Sequence, residues 1–212
     1  MRTEDLIRAL AADTAATPAP PRRAIAMALA AGAAVTALLF FALLGLRGDI
    51  ATAMTAWRFG LKLVVTSALI ATALFAAIRL SDPLAPPRAA LAPVLAVPAL
   101  LAIGAGVEMS ALPHDEWAMR WIGKNSLVCL TTIPVLALAP LGALLYAMRS
   151  GAPSSPSLAG AAAGLLASGS AAFLYATHCT DDSPLFVATW YPIAILAVTA
   201  AGALIGRKVL RW

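Results

Sequence analysis

Apolar residues in this chain fall into six long blocks separated by short polar gaps. Each block is about 20 residues long, which is the length that an α-helix needs to cross the hydrocarbon core of a bilayer. The pattern predicts six transmembrane helices, and the short gaps predict that consecutive helices run antiparallel. Prolines interrupt several blocks, and membrane helices tolerate them where neighbouring helices satisfy the freed carbonyl groups. The predicted spans cover about residues 24–46, 57–78, 89–107, 127–148, 158–176 and 185–205.

The composition also indicates a membrane protein. Of the 212 residues, 61% are apolar and only 12% are charged, whereas soluble domains carry about 25% charged residues. We therefore expect an all-α fold, a polytopic six-transmembrane-helix bundle formed by residues 24–212 and preceded by a polar tail formed by residues 1–23. The net charge of +5 does not indicate nucleic-acid binding, because the basic residues cluster beside the apolar blocks, as membrane-edge anchors do.

The polar tail begins with the pattern of a short amphipathic helix. Thr3 can cap a helix N-terminus, and two acidic residues follow in the first turn, where the helix dipole favours them. An apolar stripe at helical spacing comes next, formed by Leu6, Ile7 and Leu10. The predicted helix covers about residues 3–12 and would be marginal on its own. A proline-rich linker, residues 14–21, joins it to the first span.

The distribution of Lys and Arg predicts the orientation of the bundle. Ten of the 15 basic residues lie at the ends of the chain or in the connections after spans 2 and 4, and five lie on the opposite side. Because cytoplasmic segments carry the excess of basic residues, both termini are predicted to be cytoplasmic. The five on the outer side are Arg47, Arg58, Lys62, Arg120 and Lys124.

Spans 5 and 6 carry small residues four positions apart, namely Gly160, Gly164 and Ser168, then Gly202 and Gly206. Such spacing lets two helix backbones approach closely in lipid. The pattern predicts close packing of these two helices within one chain, and a homo-oligomer formed through the same faces is the alternative.

The gap between spans 5 and 6 combines a histidine, a cysteine and two carboxylates, and the predicted topology places the second cysteine, Cys129, at the same membrane face. Three interpretations of the thiols stay open: inert packing residues, a structural disulfide, which an oxidising compartment permits, or a reactive pair that binds a soft or transition metal ion. No Cys-x-x-Cys motif supports the last interpretation. The candidate sensor or metal residues are Cys129, Cys179, His178, Asp181 and Asp182, with His114 as a further ligand.

Two further features of this outer side have a structural and a functional interpretation. The sequence before span 6 predicts a helix cap, with an Asp or Ser at the cap position and Pro184 in the first turn. Lys62 lies within span 2, and an intramembrane charge is a functional candidate by default, although it can also extend to the nearby membrane edge. If Lys62 is paired, the candidate partners are Glu108, Asp115 and Glu116.

The residues favour a sensor or regulator rather than an enzyme. The sequence contains no Gly-rich phosphate loop, no nucleophile elbow and no His-Glu-x-x-His motif. Few acidic residues lie inside the spans, which disfavours a proton-coupled transporter. Two alternatives stay open: a small metal-ion transporter with the thiols as its entry site, and a thiol oxidoreductase of the membrane face.

Several segments taken together resemble a known family. They are the chain start at Arg2–Asp13, the six spans, Trp57–Lys62, His178–Pro184 and the end at Leu210–Trp212. This combination resembles the NrsF family (negative regulator of sigma F), bacterial inner-membrane anti-sigma factors. The most specific part is the His178–Pro184 segment combined with the start of the chain.

The resemblance implies a protein that holds an extracytoplasmic-function sigma factor at the membrane and releases it under metal or oxidative stress. It also implies that Cys129 and Cys179 take part in sensing, with a soft or transition metal ion at these residues as the one cofactor suggested. In the mechanism that we expect, the helix containing Leu6, Ile7 and Leu10 docks into a groove of the sigma factor and folds on binding. A reaction at the cysteines then shifts spans 4 and 5 and weakens docking.

Overall fold

The computed structural model describes residues 2–5, 7–8 and 21–211. This part of the chain is helical and contains no β-strand. Six helical stretches in it are long and apolar enough to cross a membrane, as the sequence predicted. The helices are α1 (Pro21–Leu43), α2 (Ile50–Ala53), α3 (Trp57–Leu80), α4 (Pro87–Leu91), α5 (Ala96–Ala111), α6 (His114–Ile122), α7 (Ser126–Met148), α8 (Pro156–His178) and α9 (Pro184–Val209).

Prolines affect the third and fourth spans differently. In the third span, a 3-10 turn at Ala92–Leu95 separates α4 from α5, and Pro93 lies in that turn. In the fourth span, α7 continues through Pro134 and Pro140. Because proline has no N–H group, Pro140 leaves the carbonyl of Leu136 without its helical donor.

A threonine on the neighbouring helix supplies the missing donor. The Thr36 hydroxyl of α1 lies 2.9 Å from the Leu136 carbonyl of α7 and 3.0 Å from the Gly32 carbonyl of its own helix. The Cα of Pro140 packs directly against Gly32, where no side chain would fit. The α1–α7 contact is therefore built around the proline in α7.

Helix α8 lies at the centre of the bundle and forms its most extensive contact with α9. Gly160 and Gly164 of α8 meet Gly202 and Gly206 of α9 so closely that a Cβ atom at any of the four would overlap the opposite backbone. The predicted close packing of spans 5 and 6 within one chain is confirmed.

The bundle has two polar faces. At the terminal face, Pro21 lies near the end of α3 and residues 150–152 of the connection between α7 and α8. At the distal face lie the connections at residues 44–56, 112–125 and 179–183. In the tail, residues 3–5 and 7–8 are helical, and Ile7 is exposed. Leu6 and Leu10 lie outside the described residues.

Candidate functional site

The most densely bonded polar region is residues 179–183, which connect α8 to α9 at the distal face and are called the 179–183 segment below. Side chains or backbone groups from four other parts of the fold bind it: the connection after α1, helix α3, helix α5 and the connection before α7. The predicted sensor residues Cys179, Asp181 and Asp182 therefore lie where the distal connections converge.

Lys62 of α3 is completely buried beneath this segment. Its ammonium group forms an ion pair with Asp182 Oδ1 at 2.6 Å and donates to the Cys179 carbonyl at 2.9 Å and the Asp181 carbonyl at 3.4 Å. The side chain does not extend to the membrane edge, and its partner is none of the predicted ones. Asp182 was not predicted as the partner because fold-specific packing, rather than spacing along the chain, places it over α3.

Arg47, in the connection after α1, binds the other side of Asp182. Its Nη1 lies 2.7 Å from Asp182 Oδ2 and 3.3 Å from the Cys179 carbonyl, and its Nε and Nη2 bind Asp49. Hydrogen bonding to Arg47 lowers the pKa of the Asp49 carboxyl. The Asp182 carboxylate thus bridges two cations, one of which is shielded from water.

Asp181 binds the connection between α6 and α7. Its Oδ2 accepts hydrogen bonds from the backbone N–H groups of Lys124 and Asn125 at 2.9 and 2.8 Å, and from the Asn125 side chain at 2.9 Å. Gly123 precedes them with φ +61°, a conformation in which a side chain would also overlap Phe186. Glycine is required here because the backbone turns tightly against the segment.

The predicted cap of α9 exists in a different form. Ser183 occupies the cap position and Pro184 the first turn, but the Ser183 hydroxyl does not cap its own helix. It donates instead to Glu108 Oε2 at 2.5 Å, and the same oxygen accepts the Leu185 N–H at 3.3 Å. A carboxylate from α5 therefore caps α9, where the helix dipole favours a negative charge. Arg58 pairs with the other oxygen of Glu108 at 2.9 Å, which explains why Glu108 is not the partner of Lys62.

The two thiols are buried in one apolar cluster at this face. Cys129 is 0% exposed and Cys179 is 1% exposed, and neither forms a disulfide. Tyr175 and Tyr191 of the same cluster have rings 6.0 Å apart, and both hydroxyl groups are buried without a hydrogen-bond partner. Burial raises the pKa of the Cys179 thiol, and the neighbouring Lys62 ammonium opposes this shift. The resting thiol of Cys179 is therefore neutral and shielded.

The remaining candidate ligands are engaged elsewhere. His178 Nδ1 lies 3.0 Å from the Gly45 carbonyl, and the His114 ring packs against Trp117 with ring centroids 4.4 Å apart. Within residues 2–5, 7–8 and 21–211, no three His, Cys, Asp or Glu side chains converge as a metal site would require. The donor chemistry of two thiols still suits a soft ion, but the carboxylates have other partners.

Sequence reasoning missed several residues of this region. Arg47 was assigned only to a membrane edge, and Tyr175 and Tyr191, which are both buried, were given no part in the site. The one available signal for Tyr175 is its position four residues before Cys179, which places both on one face of a helix. No comparable signal identifies Arg47, because its contacts with the 179–183 segment join parts of the chain more than 130 residues apart.

Comparison with known proteins identifies the chain's relatives over its whole length. A family model described as NrsF, negative regulator of sigma F, matches residues 10–212. The chain is 38% identical to the probable anti-sigma-F factor NrsF of Azospira oryzae and 35% identical to the anti-sigma-F factor NrsF of Caulobacter vibrioides, with each chain covered completely. No solved structure matches. The full-length similarity shows that this chain, with its six candidate membrane spans, belongs to the NrsF family, the negative regulators of sigma F.

Proposed function

We propose that this protein is a bacterial inner-membrane anti-sigma factor that sequesters an extracytoplasmic-function sigma factor and releases it under heavy-metal or oxidative stress. The observation that carries the proposal is the similarity to two anti-sigma-F factors over the entire length of the chain. In this proposal the protein acts by binding rather than by catalysis, and both termini lie in the cytoplasm, as the distribution of basic residues favours.

The sigma factor binds the tail helix, through Thr3, Leu6, Ile7 and Leu10. Ile7 is 60% exposed, so its side chain is free to enter a groove of the partner as the helix folds on binding. An open depression beside Pro21, bordered by Arg22, Arg79 and Asp82, gives the partner a second surface at the terminal face.

The signal enters at the opposite face, through Cys129 and Cys179. A soft metal ion or an oxidant reacts with the two thiols, and the product does not fit the shielded apolar cluster that holds them at rest. A signal can shift the equilibrium between the holding and releasing states only by its difference in affinity for the two. A tenfold loss of sigma affinity requires about 1.4 kcal/mol, which is small beside the energy of metal–thiolate bonds.

Co-purification of the sigma factor with the membrane-embedded protein tests the proposal. We expect the wild type to retain the sigma factor and Ile7→Asp to lose it, because a charge in the apolar stripe opposes docking. Glu4→Gln, an exposed change in the same tail that leaves the apolar stripe intact, serves as the matched control. Failure of the wild type to retain the sigma factor would contradict the proposal.

A further inference from the structure

The 179–183 segment contains Cys179, which shares one apolar cluster with Cys129, and it receives three contacts from one buried side chain. Lys62 Nζ lies within 3.4 Å of two backbone carbonyls and one carboxylate oxygen of this segment. These three contacts use all three N–H donors of the ammonium group. No other side chain among the described residues binds both carbonyls of Cys179 and Asp181.

The other charged side chains near Lys62 have partners of their own, so Lys62 depends on Asp182 as its counter-ion. Arg47 is shared between Asp182 and Asp49, and Glu108 is paired with Arg58. Asp181 directs its carboxylate away, to the backbone of Lys124 and Asn125. Asp182 is therefore the only carboxylate among the described residues that forms an ion pair with the Lys62 ammonium group.

A purely stabilising role is a poor explanation of this arrangement. Burying an ion pair costs about as much desolvation energy as the attraction returns, and apolar residues of similar size often stabilise a protein equally well. Removing one partner, however, leaves an uncompensated buried charge. Such a pair is well suited to holding one conformation, which is lost when a local change separates the two charges.

We propose that Lys62 and Asp182 form a latch that holds the 179–183 segment, with Cys179, packed against the cluster that contains Cys129, so that Lys62 is the positioning residue that controls access of reagents to the thiols. This inference rests on the proposed function, since it specifies how the sensing site is regulated. It also connects that site to α3, which runs from Lys62 at the distal face to Leu80 at the terminal face. Displacement of the segment removes the carboxylate that is paired with the Lys62 charge inside α3.

Alkylation of Cys179 by N-ethylmaleimide in native membranes tests the latch directly. In a Cys129→Ser background, Lys62→Met and Asp182→Asn should each raise the alkylation rate about tenfold, because either change opens the segment. Lys62→Arg, which keeps the charge and the donors, should restore most of the protection. The matched control is Lys124→Met, which removes a lysine with an exposed side chain at the same face.

A second thiol separates local opening from unfolding. Ala76→Cys in a chain without the native cysteines places a reporter at a buried position of α3 near the terminal face. Its labelling should remain slow when Lys62→Met or Asp182→Asn is added. Unchanged alkylation of Cys179, or equal acceleration at both positions, would overturn the latch.

Retention of the sigma factor is measured separately on the same variants. If the labelling results hold but the wild type does not retain a sigma factor, the latch stands and the proposed function fails. If the wild type retains the sigma factor while Cys179 labelling is insensitive to Lys62, the proposed function stands and the latch fails.

Discussion

At the scale of single residues, the main lesson concerns the buried charges. The sequence identified Lys62 as unusual and placed Asp181 and Asp182 on the same side, because composition and span boundaries are local signals. It did not pair Lys62 with Asp182, which lies 120 positions away, or identify Glu108 as the cap of α9. Those pairings depend on which helices are neighbours, and hydropathy carries no such information.

Burial of Cys179 has a consequence for its reactivity with pH. A thiol in water ionises with a pKa of about 8.5, and burial raises the pKa of Cys179 because the thiolate would lose its hydration. In a Cys129→Ser background, we expect alkylation of Cys179 to rise at a higher pH than alkylation of an exposed thiol. Alkylation rates measured over a pH series give the midpoint, which is the pH at which the rate reaches half of its maximum.

The comparison thiol for this experiment is placed at Thr180, the exposed position that follows Cys179. Thr180→Cys in a chain lacking both native cysteines introduces a thiol that water reaches directly. A Cys179 midpoint at or below the midpoint of that thiol would contradict the buried, neutral resting state.

At the scale of helices, the sequence predicted the six spans and the α8–α9 contact well. Span boundaries follow from the length of the apolar blocks, and the glycines four positions apart predict close backbone approach. The different effects of the prolines were not predictable, because Pro140 is accommodated by Thr36 from another helix. A helix that tolerates proline therefore depends on its neighbour as well as on its own sequence.

This dependence predicts the effect of removing the Thr36 hydroxyl. Thr36→Val should lower the free energy of unfolding by about 1 kcal/mol, because the Leu136 carbonyl, which Pro140 deprives of its helical donor, also loses the Thr36 hydroxyl. Thermal unfolding of the purified protein in lipid-like bicelles measures the change. Thr72→Val is the matched control, since that hydroxyl bonds only to carbonyls of its own helix.

A double-mutant cycle isolates the contact between the two helices. Pro140→Ala restores a backbone N–H for the Leu136 carbonyl, so Thr36→Val should cost less in that background. An equal cost in both backgrounds would show that Thr36 does not act through the carbonyl freed by Pro140.

At the scale of the whole molecule, the two regions to which our proposal assigns binding and sensing lie at opposite faces of the bundle. Pro21, where the tail joins the bundle, lies at the terminal face, and the two thiols and Lys62 lie at the distal face. Helices α3, α7 and α8 join the two faces, and each carries or adjoins a residue of the thiol site. In our proposal, one reaction at the distal face changes the surface that the sigma factor contacts.

The composition and the apolar blocks predicted this two-sided organisation, because six crossings return the chain to the face at which it entered. They could not specify how a signal would cross the bundle. That step depends on the contacts between the 179–183 segment and the neighbouring helices, which form only in the folded chain.

The most direct test of the account is release of the sigma factor from the membrane-embedded protein after treatment with a thiophilic metal ion. The account predicts that the wild type holds the sigma factor before treatment and loses most of it afterwards. A Cys129→Ser, Cys179→Ser chain should hold the sigma factor under both conditions. Equal release from the chain without cysteines would contradict the central claim that the signal enters at the two buried thiols.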